Sequence, residues 1–220
     1  MDLFPLYNSI RISVISSVIV FFTSVFAANY IVKISKTIRG VLDVIFTLPL
    51  VLPPTVVGYL ILRVVGPKRM IGRFFLENFN IKWTMNWWSA ILSTSIVIFP
   101  LMYRTIRSAF EAYDNTYSEC SLDLGASNIK TFWYIKLPIC KQGIIAGSVL
   151  SFARALGEFG ATSMICGYIP GKTATIATTV YQLWRTNDDA KAMIWVGINI
   201  VISSVMLLFV NFFEKSQIRK

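Results

Sequence analysis

Apolar residues in this chain come in long blocks, separated by short polar stretches. The blocks run over Ile10–Ile34, Val41–Val65, Trp87–Tyr103, Gly143–Ile165 and Ala192–Phe213. A hydrocarbon layer of about 30 Å takes about 20 apolar residues to cross as a helix. The pattern therefore predicts an all-α polytopic membrane protein of about five transmembrane helices. A sixth span inside the polar stretch at 105–139 is possible, but Glu111, Asp114, Glu119 and Asp123 stand there. Each would cost a few kcal/mol in lipid.

The blocks differ in kind. The first could be read as a signal peptide, but Asp2 is its only charge before Arg11 and the basic cluster Lys33, Lys36, Arg39 follows it. A retained helix with its N-terminus outside fits better. The second contains Pro49, Pro53 and Pro54. As one helix of about 25 residues it would reach about 37 Å, enough to cross even when kinked. Backbone freed by proline persists in a membrane only against protein or a water-filled cavity, so this span lines a path or packs kinked in the bundle. The third begins at Trp83, Trp87 and Trp88, as an interfacial belt would. The fourth carries two ridges of small residues, Gly143, Gly147, Ser151, Ala155 and Ala153, Gly157, Ala161, which predict close packing at the centre of the bundle. It also holds Arg154 and Glu158, four apart on one helix face: either a functional pair or a structural one that neutralises itself.

The polar stretch 105–139 has its own pattern. Phe110, Tyr113, Tyr117 and Leu124 recur at helical spacing, which predicts an amphipathic helix. Gly125 permits a sharp change of direction. Ser127 is a fit N-cap for a second helix over Asn128–Lys136, which Pro138 would end at or before Leu137. The connections 66–86 and 167–190 read as loops, the latter with a turn at Pro170-Gly171.

Composition narrows the chemistry. Hydrophobic residues make up 55% of the 220 and charged residues 15%, with a net charge of +10; the mean hydropathy is +0.62. There is no histidine, and Cys120, Cys140 and Cys166 form no metal or disulfide pattern. No Ser–Lys or paired-carboxylate arrangement lies inside the spans, which argues against an intramembrane enzyme, and neither a catalytic residue nor a metal site is expected. With the N-terminus outside, the 33–39 cluster, the 104–141 segment and the tail with Lys215, Arg219 and Lys220 fall in the cytoplasm. They hold eleven of the 21 Lys and Arg residues. The run Gly167-Tyr-Ile-Pro-Gly171-Lys172-Thr173 has three residues between its glycines where a phosphate-binding loop needs four. The chain shows no ATP site of its own.

The spacing Glu119-x5-Gly125-x9-Ile135-x-Leu137-Pro138 resembles the cytoplasmic loop signature of ABC importer permeases. That family's pattern begins Glu-Ala-Ala, where this chain has Glu119-Cys120-Ser121. Leu48–Gly58 and Ser151–Thr162 look like the molybdate and sulfate branch of those permeases, and Ile169–Thr173 looks most like the molybdate members. The resemblance covers residues 40–213. It implies a single permease domain over 1–220 with the type I importer fold and a coupling loop at 105–139. Glu119, Gly125, Ala126, Ile135, Leu137 and Pro138 would dock an ATP-binding subunit. Pro49, Pro53, Pro54, Arg154, Gly157, Glu158 and Gly160 are candidates for the translocation path. It further implies a homodimer, two ATP-binding subunits that carry ATP and magnesium, an external oxyanion-binding protein, no cofactor on this chain, and a prokaryotic plasma membrane location. A sulfate or tungstate permease, or a passive anion channel, are the alternative readings.

Overall fold

The structure is a computed structural model that describes residues 2–32 and 34–218, with side chains to Leu208. Among the described residues there are helices and no strands. In chain order they are α1 (Phe4–Ile31), α2 (Lys36–Val51), α3 (Pro54–Val65), α4 (Met70–Phe79), α5 (Trp87–Glu111), α6 (Thr116–Asp123) and α7 (Asn128–Thr131). A π turn (Phe132–Lys136) follows, then α8 (Leu137–Ile139), α9 (Lys141–Leu156), α10 (Gly160–Cys166), α11 (Ile176–Arg185) and α12 (Asp189–Ile218). Three helices, α1, α5 and α12, are long and apolar enough to cross a membrane, and two bent pairs bring the number to five. The span count read from the apolar blocks agrees. Of the orienting basic residues, Lys33, Arg219 and Lys220 lie outside the described residues, and Lys215 beyond the described side chains.

Two of the predicted spans are not single helices. The second breaks into α2 and α3, which meet at 113°. At the break Leu52 and Pro53 are extended, with ψ of 141° and 135°. Each precedes a proline, whose ring excludes the α region from the residue before it. Pro49, by contrast, stays inside α2. At 16 residues α2 is about 24 Å long, too short to cross alone. The fourth predicted span ends at Leu156 and restarts at Gly160 as α10, and α9 meets the helical stretch before it at 72°. The third runs further than the sequence pattern suggests, to Glu111 rather than Tyr103. The loops at 66–86 and 167–190 contain α4 and α11.

The core forms where α1 and α9 pack along α5. Towards one end it consists of Val25, Ala28 and Ile31 of α1 with Met102, Ile106 and Phe110 of α5. Towards the other it consists of Ile12, Val57, Ile61, Val97, Ala161 and Ile165, from four helices. Both helices bury hydroxyl residues, Ser13, Ser16 and Ser24 on α1 and Ser89, Ser93 and Thr94 on α5. Small residues let membrane helices approach closely, and the Ser16 hydroxyl donates to the Ile91 carbonyl at 3.2 Å. The ridge Gly143–Gly147–Ser151–Ala155 does what its spacing predicts. A Cβ on Gly143 would come within 2.5 Å of the Ala109 Cβ, and one on Gly147 within 3.1 Å of the Thr105 Cβ, so α9 lies flush on α5. The ridge Ala153–Gly157–Ala161 is not continuous, because the helix ends between its members; Gly157 is exposed.

Helix α2 has no buried residue and is tied to α5 by charge. Arg107 pairs with both Asp43 and Glu111, Arg39 pairs with Glu111, and the Tyr103 hydroxyl donates to Asp43. The Phe46 ring meets Phe99 and Tyr103 edge-on, at 5.5 and 5.3 Å.

Candidate functional site

The polar stretch folds as a helical hairpin on the end of the bundle. One continuous amphipathic helix does not form: α5 ends at Glu111, Phe110 and Tyr113 are buried, and Tyr117 on the separate α6 and Leu124 at its C-cap are exposed. Asp114 starts α6, accepting from the hydroxyl of Thr116 at 2.7 Å and from its backbone N–H at 2.9 Å. These bonds hold its carboxyl below the usual carboxylate range. Gly125 ends α6 at φ +86°, where its N–H donates to the Leu122 carbonyl at 2.9 Å and that of Ala126 to Ser121 at 3.0 Å. This is the Schellman closure, and it calls for glycine. Ser127 then caps α7, its hydroxyl accepting from the Lys130 N–H at 3.4 Å.

The second arm departs from the expected course at Pro138. The helix does not stop at Leu137: a π turn intervenes and α8 continues to Ile139. Proline lacks the N–H that would bond Tyr134, and its ring would clash with that carbonyl. The wider turn relieves this, with the Leu137 N–H bonding the Phe132 carbonyl five residues back. The two arms are joined through Ser121 and Thr131, whose buried hydroxyls lie 2.7 Å apart. Ser121 is one of the two departures from the Glu-Ala-Ala pattern, and here its hydroxyl is satisfied within the hairpin. Cys120, the other, is exposed.

The six docking residues expected from the sequence divide into two sets. Glu119, Gly125 and Pro138 are exposed, whereas Ala126, Ile135 and Leu137 are half-buried, and Leu137 packs against the α1–α5 core. A Cβ at Gly125 would meet no atom within 4 Å. The hairpin also presents apolar side chains that the signature omits: Leu124 at 89% exposure, Tyr134 at 80% and Ile129 at 73%. The run Phe132-Trp133-Tyr134 in so polar a segment was the available signal for them. An exposed apolar patch on a polar segment marks an interaction surface.

The path candidates fall mainly around the break before α10. A Cβ on Gly160 would sit 2.9 Å from the Pro54 Cβ, and one on Gly58 2.8 Å from the Ala161 Cα. The starts of α3 and α10 thus pack backbone to backbone, bringing together two stretches 100 residues apart, Leu48–Gly58 and Ser151–Thr162. Pro53 lies at the bend before α3, and Pro49 lies on the other arm, in α2. Arg154 and Glu158 do pair, at 2.9 Å, but across the end of α9 rather than along one helix face. The Glu158 side chain is 1% exposed and that of Arg154 39%. Glu158 also accepts the Ala161 N–H at 2.9 Å, so its carboxylate caps the start of α10. Beside α5, a groove of about 580 Å³ is lined by Leu101, Arg104, Thr105 and Ser108, with Leu50 and Gly143 at its walls. Among the described residues no cluster of metal-binding side chains occurs.

A bundle with bent helices and an apolar-faced hairpin at one end is the build of a transport permease. The chain belongs to the family of binding-protein-dependent transport system inner membrane components, which matches residues 20–219. Among its relatives, the molybdenum transport system permease protein ModB of Escherichia coli K12 is 38% identical over 210 residues, covering 93% of this chain and 91% of its own length. ModB of Haemophilus influenzae is 36% identical over 186 residues, covering 83% and 80%. A crystal structure of a bacterial alginate ABC transporter, in complex with an alginate pentasaccharide-bound periplasmic protein, superposes over 97% of this chain and 78% of its own. The TM-score is 0.76 at 18% identity, so the likeness is one of fold.

Proposed function

We propose that this chain is the membrane-spanning subunit of an ATP-driven importer that carries molybdate into the cytoplasm by alternating access. The observation that carries the reading is the contact of Pro54 and Gly58 with Gly160 and Ala161. It joins the two stretches that resemble the oxyanion branch, and the relatives named for molybdenum transport support that substrate. The apolar-faced hairpin is the dock for a separate ATP-binding subunit, which holds ATP and magnesium; this chain binds no cofactor. Two such subunits would serve a homodimer of the chain in a prokaryotic plasma membrane, with the hairpin in the cytoplasm and the N-terminus outside. An external binding protein would deliver the oxyanion, and the path would run along the broken helices, past Pro49, Pro53, Pro54 and the Arg154–Gly160 turn.

The test is uptake of labelled molybdate by proteoliposomes holding the chain with its partners. ATP-dependent uptake, competed by tungstate and weakly by sulfate, is the expected result. Competition by sulfate equal to that by molybdate would transfer the assignment to sulfate, and flux without ATP would make the chain a passive channel. Gly125→Trp has room to fold, apart from the cost of a left-handed non-glycine residue, about 1–2 kcal/mol. It is expected to insert normally yet lose the ATP-binding subunit on co-purification.

A further inference from the structure

Lys136 is the buried charge of the hairpin, at 8% exposure. Its Nζ donates to the Asn29 Oδ1 at 3.1 Å. It also lies 4.7 Å from the centroid of the Phe110 ring and 5.7 Å from that of Tyr113, within the range of cation–π attraction. Phe110 and Tyr113 sit at the end of α5, which runs directly into the hairpin. Asn29 does not: it stands in the last turn of α1, 107 residues away. Phe132 and Leu137 also touch the core there, but apolar contacts are non-directional and tolerate sliding. A hydrogen bond from a buried ammonium is directional, and parting Lys136 from Asn29 forfeits a charge-assisted bond in a desolvated setting.

The opposite end of α1 is fastened as well. The Asn8 side-chain amide donates to the Ala174 carbonyl at 2.9 Å, and the Ser9 hydroxyl accepts the Ile176 N–H at 2.9 Å. Both fix the start of α11, whose N-cap is Thr175. From Asn8 to Asn29 an α-helix spans about 32 Å, the thickness of a hydrocarbon layer.

We infer that Lys136 is a positioning residue that fastens the docking hairpin to α1, and that α1 carries the hairpin's displacement across the membrane to the start of α11. The inference rests on the docking reading above. Chain continuity alone would pass the motion to α5 and α9; the Lys136–Asn29 bond adds a third, non-covalent rod that ends in polar ties rather than in a loop.

The experiment compares wild type, Lys136→Met, Lys136→Arg and Asn8→Leu, with and without the ATP-binding subunit, by hydrogen exchange in nanodiscs and by uptake per ATP hydrolysed in proteoliposomes. In the chain alone, Lys136→Met should speed exchange at the end of α1 and in 128–139 together, with α9 unchanged. In the complex, ATP should alter exchange at 174–180 in wild type and not in Lys136→Met or Asn8→Leu. Uptake per ATP should fall about tenfold in both, a common size for coupling between sites, while ATP hydrolysis persists; Lys136→Arg should restore it. Wild-type exchange at the end of α1 together with wild-type coupling in Lys136→Met would overturn the inference. Failure of the wild-type chain to bind the ATP-binding subunit would instead overturn the docking reading, and exchange in the chain alone would still decide the tie.

Discussion

Arg154 and Glu158 show how burial divides one ion pair unequally. The carboxylate is enclosed and caps α10, whereas the Arg154 side chain is exposed over more than a third of its surface. Removing the cation strands a buried charge, which costs about 3 kcal/mol or more. Removing the anion frees an arginine that can rehydrate, and glutamine still offers an oxygen to the Ala161 N–H, so the loss should be about 1 kcal/mol. Arg154→Gln should therefore unfold at clearly lower temperature than Glu158→Gln in detergent; equal losses would mean that the pair is solvated throughout. The sequence shows the pair but not this asymmetry. Spacing of four places both residues on one side of an ideal helix, and says nothing of where that helix ends.

Helices here are attached in different ways, and α2 is the weakest case. It buries no residue, so its position against α5 depends on the Asp43, Arg107, Glu111 and Arg39 network and on the Phe46 ring. Arg107 is the link that touches both acids. Arg107→Gln should raise amide exchange in α2 about fivefold, the equivalent of about 1 kcal/mol for partly exposed pairs, with α5 unaffected. An unchanged α2 would show that the aromatic contacts suffice. At this scale proline and glycine signals are legible where their effect is local. Gly125 closes α6 and Ser127 caps α7, because each acts on backbone groups a few residues away. Pro138 misled, since a missing N–H can be absorbed by a π turn as well as by a helix end. The choice between them depends on what holds the chain beyond it, such as the Ala109 carbonyl that accepts the Cys140 thiol at 3.4 Å.

In the whole molecule, the hairpin presents apolar side chains outward from one end of the bundle while its inner face joins the core. Ile129 and Tyr134 are far enough out that charge there should not disturb folding. Ile129→Asp with Tyr134→Asp should lower affinity for the ATP-binding subunit at least a hundredfold, about 3 kcal/mol for two anchors in a docked interface, with unchanged thermal stability of the chain alone. Unchanged binding would place the dock elsewhere. Fold class and membrane span count were readable from the spacing of apolar blocks. The outward and inward faces of the hairpin were not, because both carry aromatic and aliphatic residues.

The sequence by itself determined that apolar helices form in membrane-length blocks, that prolines disturb the second of them, and which segment resembles a permease coupling loop. Those properties follow from apolar length, from proline and glycine stereochemistry, and from spacing, all of which act along the chain. Tertiary structure alone decided that α2 and α3 meet at 113°, that Gly58 and Gly160 are the seats of α10 on α3, and that Lys136 turns inward to Asn29. Each of these is a contact between residues far apart in the chain, or an angle set by such contacts. Their energy arises only when distant surfaces exclude lipid and water together, so no local pattern records them.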